Sequence, residues 1–219
     1  MIHSAIATPH SSPPCGDACP SPAEQHPLGY WLSGGLIIVL AAASATGLFI
    51  PGLYHDTPNW IAQTRGTDLV TLVVAIPALA ASLILAARGS PRAQITWLGV
   101  LGYIFYMYVV YTFDVAFNWL FLAYVVALSL SLWSLVTVFP RTIRDDQRIR
   151  FAPNLPGRSI AGYLLAVAAL FCLAWLKDII PATVGYTTPA SLDGMKVPTN
   201  PIEVLDLSVL LPLAALSGI

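Results

Sequence analysis

Six long apolar blocks, separated by short polar or turn-forming stretches, set the rhythm of this chain. They run over about residues 30–50, 67–87, 93–112, 115–139, 159–180 and 202–219. At ~1.5 Å rise per residue, about 20 apolar residues in a helix cross the ~30 Å hydrocarbon layer of a bilayer. The pattern predicts an all-α, polytopic transmembrane helical bundle of five or six spans, forming one domain over residues 29–219. Pro51-Gly52 ends the first block. Pro77 lies near the centre of the second, where a membrane helix tolerates it as a kink because neighbours can satisfy the freed carbonyl. The link around Phe113-Asp114 is so short that blocks three and four must form an antiparallel hairpin. The last block sits at the lower length limit for a span and stops without a basic flank. It reads as a short sixth helix or as a span cut within a longer protein, and the second reading is preferred. No internal repeat stands out along the chain.

Residues 1–28 break the rhythm. They are rich in Pro, Ser, Ala and His and hold no Lys or Arg. Such a segment buries too little apolar surface to offset its ordering entropy, so it is expected to be a disordered tail. Without a positively charged start it does not read as a signal peptide. Cys15 and Cys19 form a C-x3-C pair there, best read as free thiols rather than half of a zinc site. Cys172 falls in an apolar block, where it packs as a small hydrophobe.

Composition agrees with the blocks. The chain is 57% hydrophobic and 10% charged, where an ordinary soluble domain carries about 25% charge. That leaves too little polar surface to cover a water-facing globule. A net charge of −1 gives no field that would favour nucleic acid.

The placement of charge gives orientation. Arg88, Arg92, Arg141, Arg144, Arg148, Arg150 and Arg158 fall in the loops after blocks two and four, on one side of the membrane. Only Arg65, Lys177 and Lys196 fall on the other side. This positive-inside bias puts the Arg-rich loops and the N-terminus in the cytoplasm, with the chain expected in the inner (cytoplasmic) membrane. Arg141, Arg144, Arg148 and Arg150 are placed to meet anionic headgroups. Asp56, Asp68, Asp114, Asp178, Asp193, Glu203 and Asp206 gather on the outer side.

Carboxylates at membrane depth are costly, about 2.5–3.5 kcal/mol for Asp at a helix centre on insertion scales. Those that persist need a partner or a polar cavity. Asp68, Asp114 and Asp206 are therefore the candidate ligand- or ion-binding groups, set around one outward-facing pocket. Arg65 is close enough in sequence to pair with Asp68, and structural glue is the plainer account of that pair. His55 and Asp56, in the first outer loop, are a candidate acid–base or ligand pair; no metal site is assigned. Tyr103, Met107 and Tyr111 share one helical face leading to Asp114 and could line a path for an apolar ligand. Helix packing plus an interfacial belt is the preferred account of them. Tyr54 and Trp60 read as interfacial anchors. No cofactor is assigned. The chain lacks a mid-span His pair for haem, a mid-span Lys for retinal, a phosphate loop and an H-E-x-x-H helix.

The stretch Gly66-Thr67-Asp68-Leu69-Val70-Thr71-Leu72, together with Gly102-Tyr103 to Tyr111, Phe117-Asn118 and Leu120-Phe121, resembles a group of prokaryotic multi-span membrane proteins of unknown activity. The resemblance implies a chain that continues past Ile219. It carries over no catalytic residue. The expectations for function are thus a small transporter, or a ligand-binding or sensory membrane subunit, with an acidic site facing outward. A membrane enzyme acting on a lipid or quinone, and a structural or assembly subunit, are the alternatives. The bilayer is the first partner, with room for an oligomer or larger membrane complex.

Overall fold

A computed structural model describes residues 27–144, 156–192 and 199–217. The expected N-terminal tail, with Cys15 and Cys19, lies outside these residues apart from its last two positions. So do Arg148 and Arg150, and the side chains of Arg141 and Arg144. Among the described residues every regular element is helical, and five helices are long and apolar enough to cross a membrane. These are α1 (Pro27–Phe49), α2 (Pro58–Ala87), α3 (Pro91–Phe113), α4 (Phe121–Arg144) and α5 (Gly157–Gly185). The last stretch, α6 (residues 201–217), is helical too but is not among those five.

Local chemistry sets the helix ends. Pro58, Pro91 and Pro201 each open a helix, where a missing N–H costs nothing and the fixed φ is already helical. Ser90 caps α3 by accepting from the Ala93 N–H at 3.4 Å, and Asn200 caps α6 by accepting from the Ile202 N–H at 3.0 Å. Tyr186 closes α5 in the left-handed region, with φ 52°.

Three boundaries differ from those the apolar blocks suggest. The helix of block two begins at Pro58 rather than residue 67, because its first turns are polar and carry no hydropathy signal. The helix of block four begins at Phe121 rather than residue 115. Asn118 holds the intervening turn: its Oδ1 accepts from the Leu120 N–H at 2.9 Å and its Nδ2 donates to the Ala116 carbonyl at 3.2 Å. The helix of block five runs through Pro181 to Gly185.

Helix α2 is not regular. A π-turn occupies Thr71–Ala75, with the Ile76 N–H reaching the Thr71 carbonyl, and Pro77 follows at once. A second π-turn, at Asp206–Leu210, sits in the same position before Pro212 in α6. Proline lacks an N–H and its ring collides with the carbonyl four residues back; a widened turn just before it gives that carbonyl room.

Helices α1–α4 form the main body. Helix α1 lies against α4 and α2, and α3 against α4 and α2. Lipid tails give apolar helices little reason to associate, so close packing of small side chains carries the contact. The buried face of α1 fits that account: Gly29, Ser33, Leu36, Leu40, Ala43, Ser44 and Gly47. At the Arg-rich end, the Trp97 Nε1–H donates to Ser33 at 3.1 Å, and Ser33 donates to Ser134 on α4 at 3.4 Å. Helices α5 and α6 pair with each other, and the start of α6 also touches α3. Helix α5 buries far less of its surface inside the protein than α1–α3 do.

Candidate functional site

Four helices and one loop converge on Asp68, whose side chain is 2% exposed. The residue sits on α2, one turn before the π-turn. The loop after α1 folds back so that Tyr54, itself buried, donates its hydroxyl to Asp68 Oδ2 at 2.6 Å. Burial and the bond to Asp68 push the Tyr54 hydroxyl well above the usual phenol range, so it stays a donor. From α3, the Tyr111 hydroxyl lies 3.0 Å from Asp68 Oδ1 and 3.0 Å from the Thr64 carbonyl. Helix α1 contributes Gly47. A methyl group there would overlap both Asp68 Oδ2 and the Tyr54 hydroxyl, so only glycine lets α1 approach this closely.

The surroundings are polar but incompletely paired. The Ser44 hydroxyl from α1 and the Tyr124 hydroxyl from α4 are buried beside the cluster, near Asp68 and Tyr54 respectively, and neither makes a hydrogen bond of good geometry. The rings of Tyr108, Tyr111 and Tyr124 stack and tilt on one another at 5.2 to 6.3 Å between centroids. Arg65 forms no ion pair with Asp68 among the described residues, and its Nε is buried without a partner. No cation therefore offsets the carboxylate at contact distance.

The chemistry turns on Tyr111. It has one proton and two neighbours, and the Thr64 carbonyl can only accept. When Asp68 is ionised, the Tyr111 hydroxyl donates to Oδ1. When Asp68 carries a proton, it can donate to the Tyr111 oxygen while Tyr111 donates to Thr64. Both states have a complete hydrogen-bond arrangement with no heavy atom moved.

Asp114 forms a second acidic feature. It caps α3, with its N–H on the Val110 carbonyl at 2.8 Å, and both its carboxylate oxygens are buried without a partner. Burial, then the negative charge of nearby Asp56, pushes its carboxyl up to about 6. Asp56 accepts from the Ala116 N–H at 3.1 Å.

Asp206 belongs to a third group of residues. It accepts from the Tyr106 hydroxyl on α3 and from the Trp175 Nε1–H on α5, both at 2.9 Å. Helix α3 thus sends Tyr111 to Asp68 and Tyr106 to Asp206. No hydrogen bond joins Asp68, Asp114 and Asp206 to one another.

Of the residues singled out from sequence, Asp68 and Tyr111 come together, as do Asp56 and Asp114. Tyr103 is 39% exposed and joins neither group, and His55 is exposed. Among the described residues no three His, Cys, Asp or Glu side chains are grouped to hold a metal. The sequence reading missed Tyr54, Thr64, Tyr106, Tyr124 and Trp175 as site residues. Tyr54 had a local signal: it follows the Pro51-Gly52 turn, and Gly52 at φ 77° reverses the chain over the end of α1. The others meet their partners only through helix packing. No family model matches the chain, and neither a curated protein nor a solved structure is similar enough to match. Its chemistry is therefore read from these contacts alone.

Proposed function

We propose that this protein is a multi-pass membrane carrier that couples movement of a small solute to protonation of Asp68. The reading places it in the cytoplasmic membrane of a prokaryote, with the N-terminus inside and the Asp68 site towards the outer face. The distribution of arginine supports that orientation. Arg141, Arg144, Arg148 and Arg150 then lie where anionic headgroups are found.

One observation carries the proposal: the Tyr111 hydroxyl is equidistant from Asp68 and from the Thr64 carbonyl. A buried carboxyl without a contacting cation is an expensive thing to keep in a membrane helix. A switchable phenol beside it supplies what reversible protonation needs, a satisfied arrangement for each charge state. The Ser44 and Tyr124 hydroxyls, beside Asp68 and Tyr54, add further polar groups next to the same carboxyl. The rings of Tyr108, Tyr111 and Tyr124 pack on one another beside the same carboxyl.

The test is infrared difference spectroscopy of the protein in nanodiscs, titrated between acid and alkali. Wild type is expected to show a protonated-carboxyl band that disappears in Asp68→Asn and shifts in Tyr111→Phe. In proteoliposomes, the same Asp68→Asn change is expected to abolish proton movement driven by solutes from a pooled metabolite mixture. A carboxyl band that titrates identically in wild type and Asp68→Asn would exclude the proposal.

A further inference from the structure

Helix α6 matches α2, and the match exposes a second acidic site. The two π-turns provide the alignment. Thr71 opens the first and Asp206 the second; Pro77 ends the first and Pro212 the second. The same shift along the chain places Asp68 on Glu203, Leu72 on Leu207, Val74 on Val209, Ala80 on Ala215 and Ser82 on Ser217. Upstream, with small changes in loop length, Gly29-Tyr30-Trp31-Leu32 in α1 answers to Gly162-Tyr163-Leu164-Leu165 in α5. Ile50-Pro51 answers to Ile180-Pro181, and Thr57-Pro58 to Thr188-Pro189. Each pair of helices also packs as a hairpin. The α5–α6 hairpin therefore matches the α1–α2 hairpin in its π-turn, its prolines and its buried acidic position.

The counterpart of Asp68 is differently equipped. Glu203 is 6% exposed, and its Oε1 is buried with no hydrogen-bond partner. Among the described residues no phenol donates to its Oε1 as Tyr54 and Tyr111 do to Asp68. One turn further on stands Asp206, on the same buried face, held by Tyr106 and Trp175. Two fixed donors keep Asp206 oriented as an anionic acceptor. One turn before it, Glu203 Oε1 is buried and has no positive partner among the described residues. Among the described residues no third His, Cys, Asp or Glu joins this pair. A divalent ion usually recruits more anionic ligands or keeps its waters, whereas one positive charge is matched to a site where Asp206 is already held by two donors and Glu203 supplies the remaining carboxylate. Membrane carriers place such ions where helices depart from regular geometry, as α6 does at Asp206.

We propose that Glu203 and Asp206 form a binding site for a monovalent metal cation of the sodium class, in the hairpin that matches the one carrying Asp68. The site does not depend on proton chemistry at Asp68, and the two can fail separately.

The experiment measures binding of radioactive sodium to the purified protein in nanodiscs of zwitterionic lipid, with choline chloride as background salt. Wild type is expected to bind sodium saturably. Glu203→Gln is expected to lose that binding and Asp206→Asn to weaken it strongly, while Asp68→Asn retains it. Glu203→Asp, which keeps the charge, is expected to restore part of it and guards against simple misfolding. Absence of saturable sodium binding in wild type would overturn the proposal whatever the variants do. Equal loss in Asp68→Asn would overturn it as well, since the ion would then belong to the first site. Displacement of sodium by magnesium or calcium at far lower concentration would reassign the site to a divalent ion and overturn the stated class.

Discussion

Gly47 and Asp68 face each other with no room for a methyl group between them, since a Cβ on Gly47 would overlap Asp68 Oδ2. The contact fixes how near α1 comes to α2, and it makes the Asp68 site sensitive to a single carbon. Gly47→Ala is expected to destabilise the protein by roughly 1–3 kcal/mol, the usual range for overpacking, and to weaken the titration of Asp68. Gly34→Ala is the control, because nothing lies within 4 Å of a Cβ there. Thermal melts of both variants in the same detergent check the point. A Gly47→Ala protein that melts with wild type would mean that α1 can retreat freely.

The two phenols on Asp68 make unequal contributions. Tyr54 serves the carboxylate alone, whereas Tyr111 also has the Thr64 carbonyl. A hydrogen bond to a charged group contributes about 1.5–3 kcal/mol, so Tyr54→Phe is expected to lower stability by that order. Tyr111→Phe removes a donor from Asp68 and the alternate route for its proton, and is expected to slow proton exchange at Asp68 more than Tyr54→Phe does. Proton-exchange rates from pH-jump infrared measurements decide this; equal rates in the two variants would remove the special role given to Tyr111.

Asp114 provides a pH signature. Burial and the charge of Asp56 raise its carboxyl from 3.8 to about 6 in the folded protein. The folded state thus holds this proton more tightly than the unfolded chain does. The resulting stabilisation is fully present below about pH 4 and is lost as pH rises through about 6. Asp114→Asn, which cannot ionise, is expected to match wild type near pH 4 and to melt at a higher temperature near pH 7. Melting curves of the pair across that window should diverge; parallel curves would show that Asp114 is not the group responsible.

Orientation can be tested without knowing the solute. A fluorescent reporter that matures only in the cytoplasm, fused after Arg150, is expected to light up, and one fused after Tyr54 is expected to stay dark. The reverse pattern would invert the topology and put the acidic groups on the cytoplasmic side.

Five spans were legible in the sequence because a run of about 20 apolar residues has few uses other than crossing lipid. The polar first turns of α2, from Pro58 to Gly66, were not, since hydropathy measures contact with lipid and not helicity. Asp68 stood out through the cost of its charge at depth, and Tyr111 through its position on a helix face. Tyr103, on the same face by spacing, stays outside the acidic groups and is 39% exposed. Tyr54 looked like an interfacial aromatic because a loop carries no period from which burial can be inferred. The match between α2 and α6 stayed hidden because few positions are identical, and the π-turns that align them are invisible until the backbone is traced.

The widened turn at Thr71–Ala75 accommodates one more residue than a regular α-turn would. Its effect is to hold Thr64 and Asp68 before it, Thr71 and Ala75 at its two ends, and Leu79, Ser82 and Ala86 after it, in one buried stripe. Deleting any single residue from that turn would let the backbone relax into ordinary α-geometry and keep a continuous rod. The upper half would then swing by about 100° against the lower, carrying the carboxylate away from its phenols. A shortened helix would still insert in the membrane, with its acid group facing the wrong neighbours.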